Sequence, residues 1–269
     1  MTQQWADQKN KEHAEKAEKI RAEVVTVIQS LPEANDEQKA ALMAWLEEEE
    51  KHPYPCMAIG SYRLLKYSGD NWDEYLSKKN LFERYDAAIK YKNMYDRFVD
   101  SEPKRFDGDI VITDPCYILC HDDDRRDDWE KCDYGNAMEE LGITTYMTRD
   151  TIYGDWSCTT YNSDTKEEIG QFCADAGLVS VFLLDEIRSY NPDFEKHHLQ
   201  DRDWTATLIK NFKGDVQFIV ELETGVYEED TPYYKAGDTW EDYIVRVVGH
   251  GVNKVTGESI NFITSQTGL

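Results

Sequence analysis

Apolar side chains recur every three or four residues over roughly the first 100 positions, which is the period of an amphipathic helix. Pro32 separates the first stretch from the second, because proline cannot continue a helix, and Asn35 or Asp36 supplies a cap for the second. The pattern predicts three helices, at residues 2–30, at about 36–50, and from 71 or 73 to about 99.

The period changes from about 3.6 to 2 residues after the segment SEPKRFDGD at 101–109. Strands are predicted at 109–113, 116–120, 143–148, 156–161, 168–174, 178–184, 203–212, 215–223, 242–250 and 258–264. Turn residues separate them at NSD (162–164), KGD (213–215) and NKVTG (253–257), and a β-turn or bulge is expected at the GHG of 249–251. A helix is expected at about 127–141 and a shorter helical piece near 185–199.

These patterns predict an α+β fold. A helical region at 1–100 precedes an acidic, mostly antiparallel β domain at 108–269, which is a sandwich or small barrel with one inserted helix. The composition, with 40% hydrophobic and 31% charged residues, is that of a globular protein. A chain of 269 residues is long enough to bury a sizeable core.

Charge is distributed unevenly along the chain, whose formal net charge is −24. Residues 1–100 carry 15 Lys and Arg against 19 Asp and Glu, whereas residues 101–269 carry 15 against 35, a net charge of −20. Acidic surfaces repel phosphate backbones and anionic lipids, so direct contact with nucleic acid or with a membrane is not expected. The same charge permits a basic protein partner.

The chain has no segment with the pattern of an export signal or a membrane span. Its opening residues are charged and lack an apolar core, and no window approaches 18 apolar residues. The six cysteines include no CxxC pair and no zinc-finger spacing. A cytoplasmic protein with reduced thiols is therefore expected.

Three short segments place an acid beside a small or kinking residue: DPCY at 114–117, YGDW at 153–156 and ADAG at 174–177. The longer stretches ITDPCYIL, DTIYGDWSC and CADAGLVSVFLL resemble those of a widespread group of uncharacterised bacterial and phage proteins. The resemblance covers about residues 108–187 and departs from the group at Trp156, where a glycine is common. It implies a shared β module and no established activity.

Asp114, Asp155 and Asp175 allow two interpretations. In the first, Asp114 precedes Pro115 and holds a tight bend, with Cys116 and Tyr117 beginning the next run. In the second, the three carboxylates meet at one end of the sheet, where they bind Mg²⁺ or Ca²⁺ or perform acid–base chemistry.

Other residues with reactive or ligating side chains have similar alternatives. Cys116 is either a core residue or a nucleophile. The segment HDDDRRDDWE at 121–130 is either a solvated loop leading into a helix or a cation site on three aspartates. The side chains of His197 and His198 are expected to diverge, so a shared metal is not expected. The candidate ligand- or partner-binding residues are Asp114, Cys116, Tyr117, Asp122, Asp123, Asp124, Tyr153, Asp155, Trp156 and Asp175.

Taken together, the sequence favours a non-enzymatic acidic binding protein of phage or mobile-element type. It would engage, and in one version inhibit, a host protein through an acidic surface rich in Tyr and Trp, and a basic nucleic-acid-handling protein fits that charge. One alternative is a metal-assisted hydrolase that uses Asp114, Asp155 and Asp175, with Tyr117 or Tyr153 orienting the substrate. Another is sequestration of a small ligand in the mouth of the barrel. No cofactor is expected, apart from a divalent cation in the hydrolase alternative or on Asp122, Asp123 and Asp124.

Overall fold

A computed structural model describes residues 1–31, 34–49, 72–91, 94–119, 138–151, 156–225 and 240–265. Contacts divide the chain into two compact units, Met1–Val99 and Asp100–Leu269. Among the helices of the described ranges, none combines the length and the apolar composition needed to cross a bilayer.

The first unit contains the three helices that the periodicity predicts, α1 (Gln3–Ser30), α2 (Asp36–Glu49) and α3 (Trp72–Tyr91), followed by a short 3₁₀ helix (Met94–Phe98). Asn35 caps α2 as expected, since its side-chain oxygen accepts the Gln38 N–H while Gln38 reciprocally accepts the Asn35 N–H, each at 2.9 Å. Its core combines one side of each helix, with the buried residues Ala17, Ile20, Val24, Ile28, Leu31, Leu42, Leu46, Phe82, Tyr85, Ala88 and Ile89.

The second unit is built on one antiparallel sheet of eight strands. They are β1 (Lys104–Thr113), β2 (Tyr146–Asp150), β3 (Trp156–Asn162), β4 (Glu168–Ala174), β5 (Leu178–Leu183), β6 (Ala206–Gly225), β7 (Trp240–Asn253) and β8 (Ser259–Ser265). Their order in the sheet is β2-β5-β1-β6-β7-β8-β3-β4. The sheet curls into a half-barrel, which confirms the predicted α+β class with antiparallel strands.

The curl follows from one short connection. Strands β4 and β5 occupy the eighth and second places in the sheet, yet only residues 175–177 join them. Three extended residues span about 10 Å, whereas six strand spacings in a flat sheet amount to nearly 30 Å. The sheet must therefore bend back on itself, and the side chain of Thr207 on β6 lies 3.2 Å from the place where a Cβ at Gly170 on β4 would be.

Two short helices flank the sheet, α4 (Cys116–Leu119) and α5 (Leu184–Tyr190), and a π-helical turn follows at Lys196–Gln200. The helical piece expected near 185–199 is thus present. The helix expected at about 127–141 lies mostly outside the described residues, although residues 138–140 are helical.

The strand predicted at 116–120 is wrong, because Cys116–Leu119 forms a single helical turn. The Asp114 carboxylate accepts the Cys116 N–H at 2.9 Å, and the Pro115 carbonyl accepts the N–H groups of Ile118 and Leu119. Asp followed by Pro is a favoured N-cap and first helical residue, so the dipeptide itself carried the helical signal.

The turn predicted at KGD is also wrong, since β6 runs without interruption from Ala206 to Gly225. Gly214 lies opposite Gly251 on β7, where a Cβ at 214 would come 2.1 Å from the His250 carbonyl oxygen. Glycine here permits a close approach of two backbones and does not form a turn. The bend in β6 lies earlier, at a bulge where Asn211 has φ 53°.

The glycines of GHG also lie within a continuous strand, so the expected turn or bulge is wrong there. The ring of Phe262 lies over Gly249, and the ring of Phe212 lies beside Gly251. The two rings pack edge to face, with 5.7 Å between their centroids. These glycines therefore make room for a pair of aromatic side chains.

Two hairpin turns, at 162–167 and 253–258, share the pattern Asn-x-x-Thr-x-Glu. The turns were predicted from their residue types, but their common pattern was not. In each turn the Asn side-chain oxygen accepts the N–H groups two and three residues later, and the Thr hydroxyl bonds to the Glu carboxylate. The fifth residue has a positive φ in both, 66° at Lys166 and 75° at Gly257. The turns predicted at NSD and NKVTG are thereby confirmed.

We expect Lys166→Gly to raise the free energy of unfolding by about 0.5–1 kcal/mol and Gly257→Lys to lower it by a similar amount, because a side chain at positive φ is strained. A Cβ at 257 meets no atom within 4 Å. The Gly257→Lys variant therefore tests the strain of the backbone conformation without a steric clash of the side chain. Urea unfolding of both variants measures the difference. A destabilised Lys166→Gly variant would contradict the shared turn geometry.

Candidate functional site

Residues Asp175–Gly177, which we call the DAG connection, are held by three residues from elsewhere in the second unit. The Asp114 carboxylate accepts the Ala176 N–H at 2.8 Å, and the Tyr117 hydroxyl donates to the Asp175 carboxylate at 2.6 Å. Thr151, just after β2, donates to the Gly177 carbonyl from both its backbone N–H and its hydroxyl, at 2.7 and 2.8 Å. Two of the three motifs found in the sequence, DPCY and ADAG, therefore meet.

Asp114 links the end of β1 to this connection, and its side chain is 0% exposed. One oxygen accepts the Cys116 N–H, and the other accepts the N–H groups of Ala176 and of Leu178, the latter at 3.3 Å. Burial raises the pKa of the Asp114 carboxyl above its ordinary value, and these N–H donors oppose that rise. The interpretation of Asp114 as the residue that holds the bend is confirmed.

The same bonding weighs against Asp114 as a cation ligand, because its buried oxygens already accept three backbone donors. Within the described ranges, no group of three or more His, Cys, Asp or Glu side chains is arranged to hold a metal ion. Asp155, the second carboxylate of the hydrolase hypothesis, lies outside the described residues.

Tyr117 and Asp175 form a pair in which the tyrosine is buried and the aspartate is exposed. Burial, together with the hydrogen bond and charge of Asp175, raises the pKa of the Tyr117 hydroxyl far above its ordinary value. The hydroxyl therefore stays protonated and acts as a donor that fixes the orientation of Asp175. Asp175 itself is exposed, so the hydrogen bond from Tyr117 holds a carboxylate that remains accessible to solvent.

His198 is the residue of this region that sequence reasoning missed. It lies in the π-helical turn, 7% exposed, with its ring centroid 5.3 Å from that of Tyr117 and 5.0 Å from that of Phe194. The sequence shows two adjacent histidines at 197 and 198, but it does not show that His198 is buried. Their side chains diverge as expected, since His197 is exposed and the ring centroids lie 6.5 Å apart.

The tautomer of His198 follows from its hydrogen bonds. Its Nδ1 lies 3.0 Å from the Thr205 hydroxyl oxygen, which in turn lies 2.9 Å from the Arg202 carbonyl oxygen. Because the hydroxyl has one hydrogen and donates it to the carbonyl, we assign the Nδ1–H as donor to Thr205. Burial, then the nearby Arg202 and His197, lower the pKa of His198 to about 4, so the ring is neutral at ordinary pH.

The cysteines of the region are packing residues. Cys116 is buried, in agreement with the core interpretation, and the Asp114 carboxylate accepts its backbone N–H. Burial raises the pKa of Cys158 to about 12 and also raises that of the partly exposed Cys173. Raised values disfavour the thiolate that a nucleophile requires.

The remaining candidates have different placements. Trp156 begins β3 opposite Ala174, directly beside the DAG connection, and within the described residues its buried indole Nε1 has no hydrogen-bond partner. The candidates outside the described residues are Asp122, Asp123, Asp124, Tyr153 and Asp155.

Asp114→Ala is expected to lower the free energy of unfolding by about 2–4 kcal/mol, because it leaves three backbone donors without their acceptor. Asp193→Ala is the matched control, since Asp193 is exposed and its side chain makes no hydrogen bond in the described part of the chain; its effect should stay within about 0.5 kcal/mol. Urea titrations give both values. Equal stabilities of the two variants would refute the role assigned to Asp114.

The low pKa of His198 makes the stability of the fold depend on pH. The unfolded state gains a proton near pH 6.5, whereas the folded state gains it only near 4, so stability is lost as pH falls through this window. We expect a loss of about 2 kcal/mol between pH 7 and 5 from this residue. His198→Gln should remove that part of the dependence and His197→Gln should retain it, as measured by urea unfolding at each pH.

Comparison with known proteins yields no relative: no family model matches the chain, and neither a curated protein nor a solved structure does. The resemblance of the DPCY, YGDW and DAGL stretches to bacterial and phage proteins therefore stays a prediction. What the site does must be inferred from its own geometry.

Proposed function

We propose that this chain is a non-enzymatic binding protein that engages the basic surface of a protein partner. The observation that carries the proposal is the excess of exposed carboxylates in the second unit. Within its described residues, the exposed acids without a cation within 4.0 Å are Glu102, Glu139, Glu140, Asp164, Glu167, Glu168, Asp175, Asp193, Asp203 and Glu258. Among the same described residues, the exposed cations without an acid within 4.0 Å are fewer: Lys166, Lys196, Arg202, Lys210 and Lys213.

An exposed tryptophan adds a contact point suited to cations. Trp204 is 47% exposed and directly follows Asp203, while Thr205 beside it is buried and bonded to His198. Indole faces attract Lys and Arg side chains, and tryptophan is enriched at protein interfaces. The anchored Thr205 limits the entropy that Trp204 would lose on binding.

The charge also limits the class of partner. A surface with net charge −20 over residues 101–269 repels nucleic acid and anionic lipid, so the partner is a basic protein, and a nucleic-acid-handling protein fits. The phage or mobile-element setting, and inhibition of a host protein, rest on the resemblance of the sequence motifs alone. We place the encounter in the cytoplasm, where thiols stay reduced.

The hydrolase alternative loses support from the bonding of Asp114. Its carboxylate would have to release the Cys116 and Ala176 N–H groups before it could bind a cation, and that would break the bend. Asp175 remains available, but as an exposed carboxylate beside a tyrosine donor it suits binding as well as catalysis.

Two variants test the surface around Trp204. A third variant is the control, and it removes as many charges as the double variant does. We expect Trp204→Ala and the double variant Asp201→Asn/Asp203→Asn to retain a basic partner at least about fivefold less than wild type, a loss near 1 kcal/mol. Glu15→Gln/Glu18→Gln removes the same number of charges from exposed positions of the first unit, outside the proposed surface, and should leave retention unchanged. Retention from host lysate, at low and at about 0.15 M salt, is quantified by mass spectrometry, and a lysine dodecapeptide serves as a defined probe.

The salt series separates the outcomes. Retention that falls as salt screens the charges, and that falls further in the two test variants, supports the proposed surface. Equal retention in all variants would show that another surface is used, and retention independent of salt would contradict the electrostatic basis. Neutralising Asp122, Asp123 and Asp124 together extends the test to the acidic segment predicted from the sequence.

A further inference from the structure

Asn191 is a completely buried polar residue whose amide has no hydrogen-bond partner within the described part of the chain. Its side chain is 0% exposed, and both the donor Nδ2 and the acceptor Oδ1 are without a partner. Its backbone is satisfied, since its N–H donates to the Ile187 carbonyl at 2.7 Å and its carbonyl accepts the Phe194 N–H at 3.2 Å. The unmet hydrogen-bonding capacity therefore belongs to the side chain alone.

The backbone of Asn191 is bonded to two residues of an apolar cluster. It directly follows α5, and its two backbone partners, Ile187 and Phe194, both belong to the buried cluster between α5 and the sheet. That cluster also contains Ile118 and Leu119 of α4. At 0% exposure the amide loses its hydration, and within the described part of the chain it gains no protein donor or acceptor.

Burying an amide in this way costs folding free energy unless something replaces the lost hydrogen bonds. Leucine has the same number of side-chain heavy atoms as asparagine and would fill an apolar site without that cost. In folded proteins, buried polar atoms are almost always paired with protein or with an enclosed molecule. The Asn191 amide is an exception to this rule within the described part of the chain.

We propose that Asn191 is the recognition residue of an enclosed site for a small neutral molecule that offers one hydrogen-bond donor and one acceptor. The donor would satisfy Oδ1 and the acceptor would satisfy Nδ2. A water molecule has this chemistry, as does a small compound with a hydroxyl or an amide. The amide carries no net charge, so it provides no counter-ion for a charged ligand.

The site has a structural connection to the candidate functional site, although the inference does not depend on the proposed partner. The Phe194 N–H bonds to the Asn191 carbonyl, and the Phe194 ring packs on His198. The enclosed molecule would thus support the turn that carries His198 and, beyond it, Trp204.

The test compares wild type with Asn191→Leu and Asn191→Ala in the full chain. If the amide holds an enclosed molecule, both variants should have a lower urea midpoint than wild type. Wild type should also show either a long-lived internal water by magnetic relaxation dispersion or a bound compound by native mass spectrometry, and Asn191→Leu should lose it. The first readout identifies water as the occupant and the second identifies a compound.

Ser180→Ala is the control, because Ser180 is buried and bonded to Thr148 at 2.8 Å. It should lower the urea midpoint while leaving the signal of the enclosed molecule unchanged. A higher midpoint for Asn191→Leu than for wild type would overturn the proposal, since it would identify the amide as an unpaired group. A wild type with neither readout would overturn it as well, whatever the stability of the variants.

Discussion

The carboxylate of Asp114 is the interaction on which the shape of the second unit depends most directly. Its two oxygens accept N–H groups from Cys116 on one side and from Ala176 and Leu178 on the other, across 62 residues of sequence for Ala176. The bond joins the end of β1 to the connection between β4 and β5, the two strands that the curl of the sheet brings together. Burial of this carboxylate is tolerated because its oxygens accept three backbone N–H groups, which would otherwise be left without an acceptor.

Around that carboxylate, residues with reactive side chains serve mainly as supports. Tyr117 stays protonated and orients Asp175, His198 stays neutral between two aromatic rings, and Cys116 is packed in the core. Two exposed residues lie next to these buried ones. Asp175 accepts a hydrogen bond from Tyr117, and Trp204 precedes Thr205, which is bonded to His198. The described part of the second unit thus combines a largely apolar interior with an excess of exposed carboxylates.

The curl of the sheet requires residues that a regular strand would not need. The bulge at Asn211 bends β6, and Gly214 lets β6 and β7 approach closely further along. Beyond it, Phe212 and Phe262 fill the space that Gly249 and Gly251 leave open. Gly214, Gly249 and Gly251 therefore mark close packing within long strands and not their ends, which explains why the turns or bulges predicted at KGD and GHG are wrong.

The sequence by itself determined the three N-terminal helices, the two Asn-initiated turns and the acidic balance of the second part. It also determined six of the eight strands with nearly correct bounds, the second half of β1, and β6 in two pieces. These features depend on side-chain periodicity and on bonds within a turn, which are local in sequence. Only the tertiary structure decided that DPCY is a helical turn joined to the DAG connection, that β6 is continuous, and that His198 and Asn191 are buried. Each of these depends on contacts between residues far apart in the chain, and the period of a single segment carries no information about which distant segment will cover it.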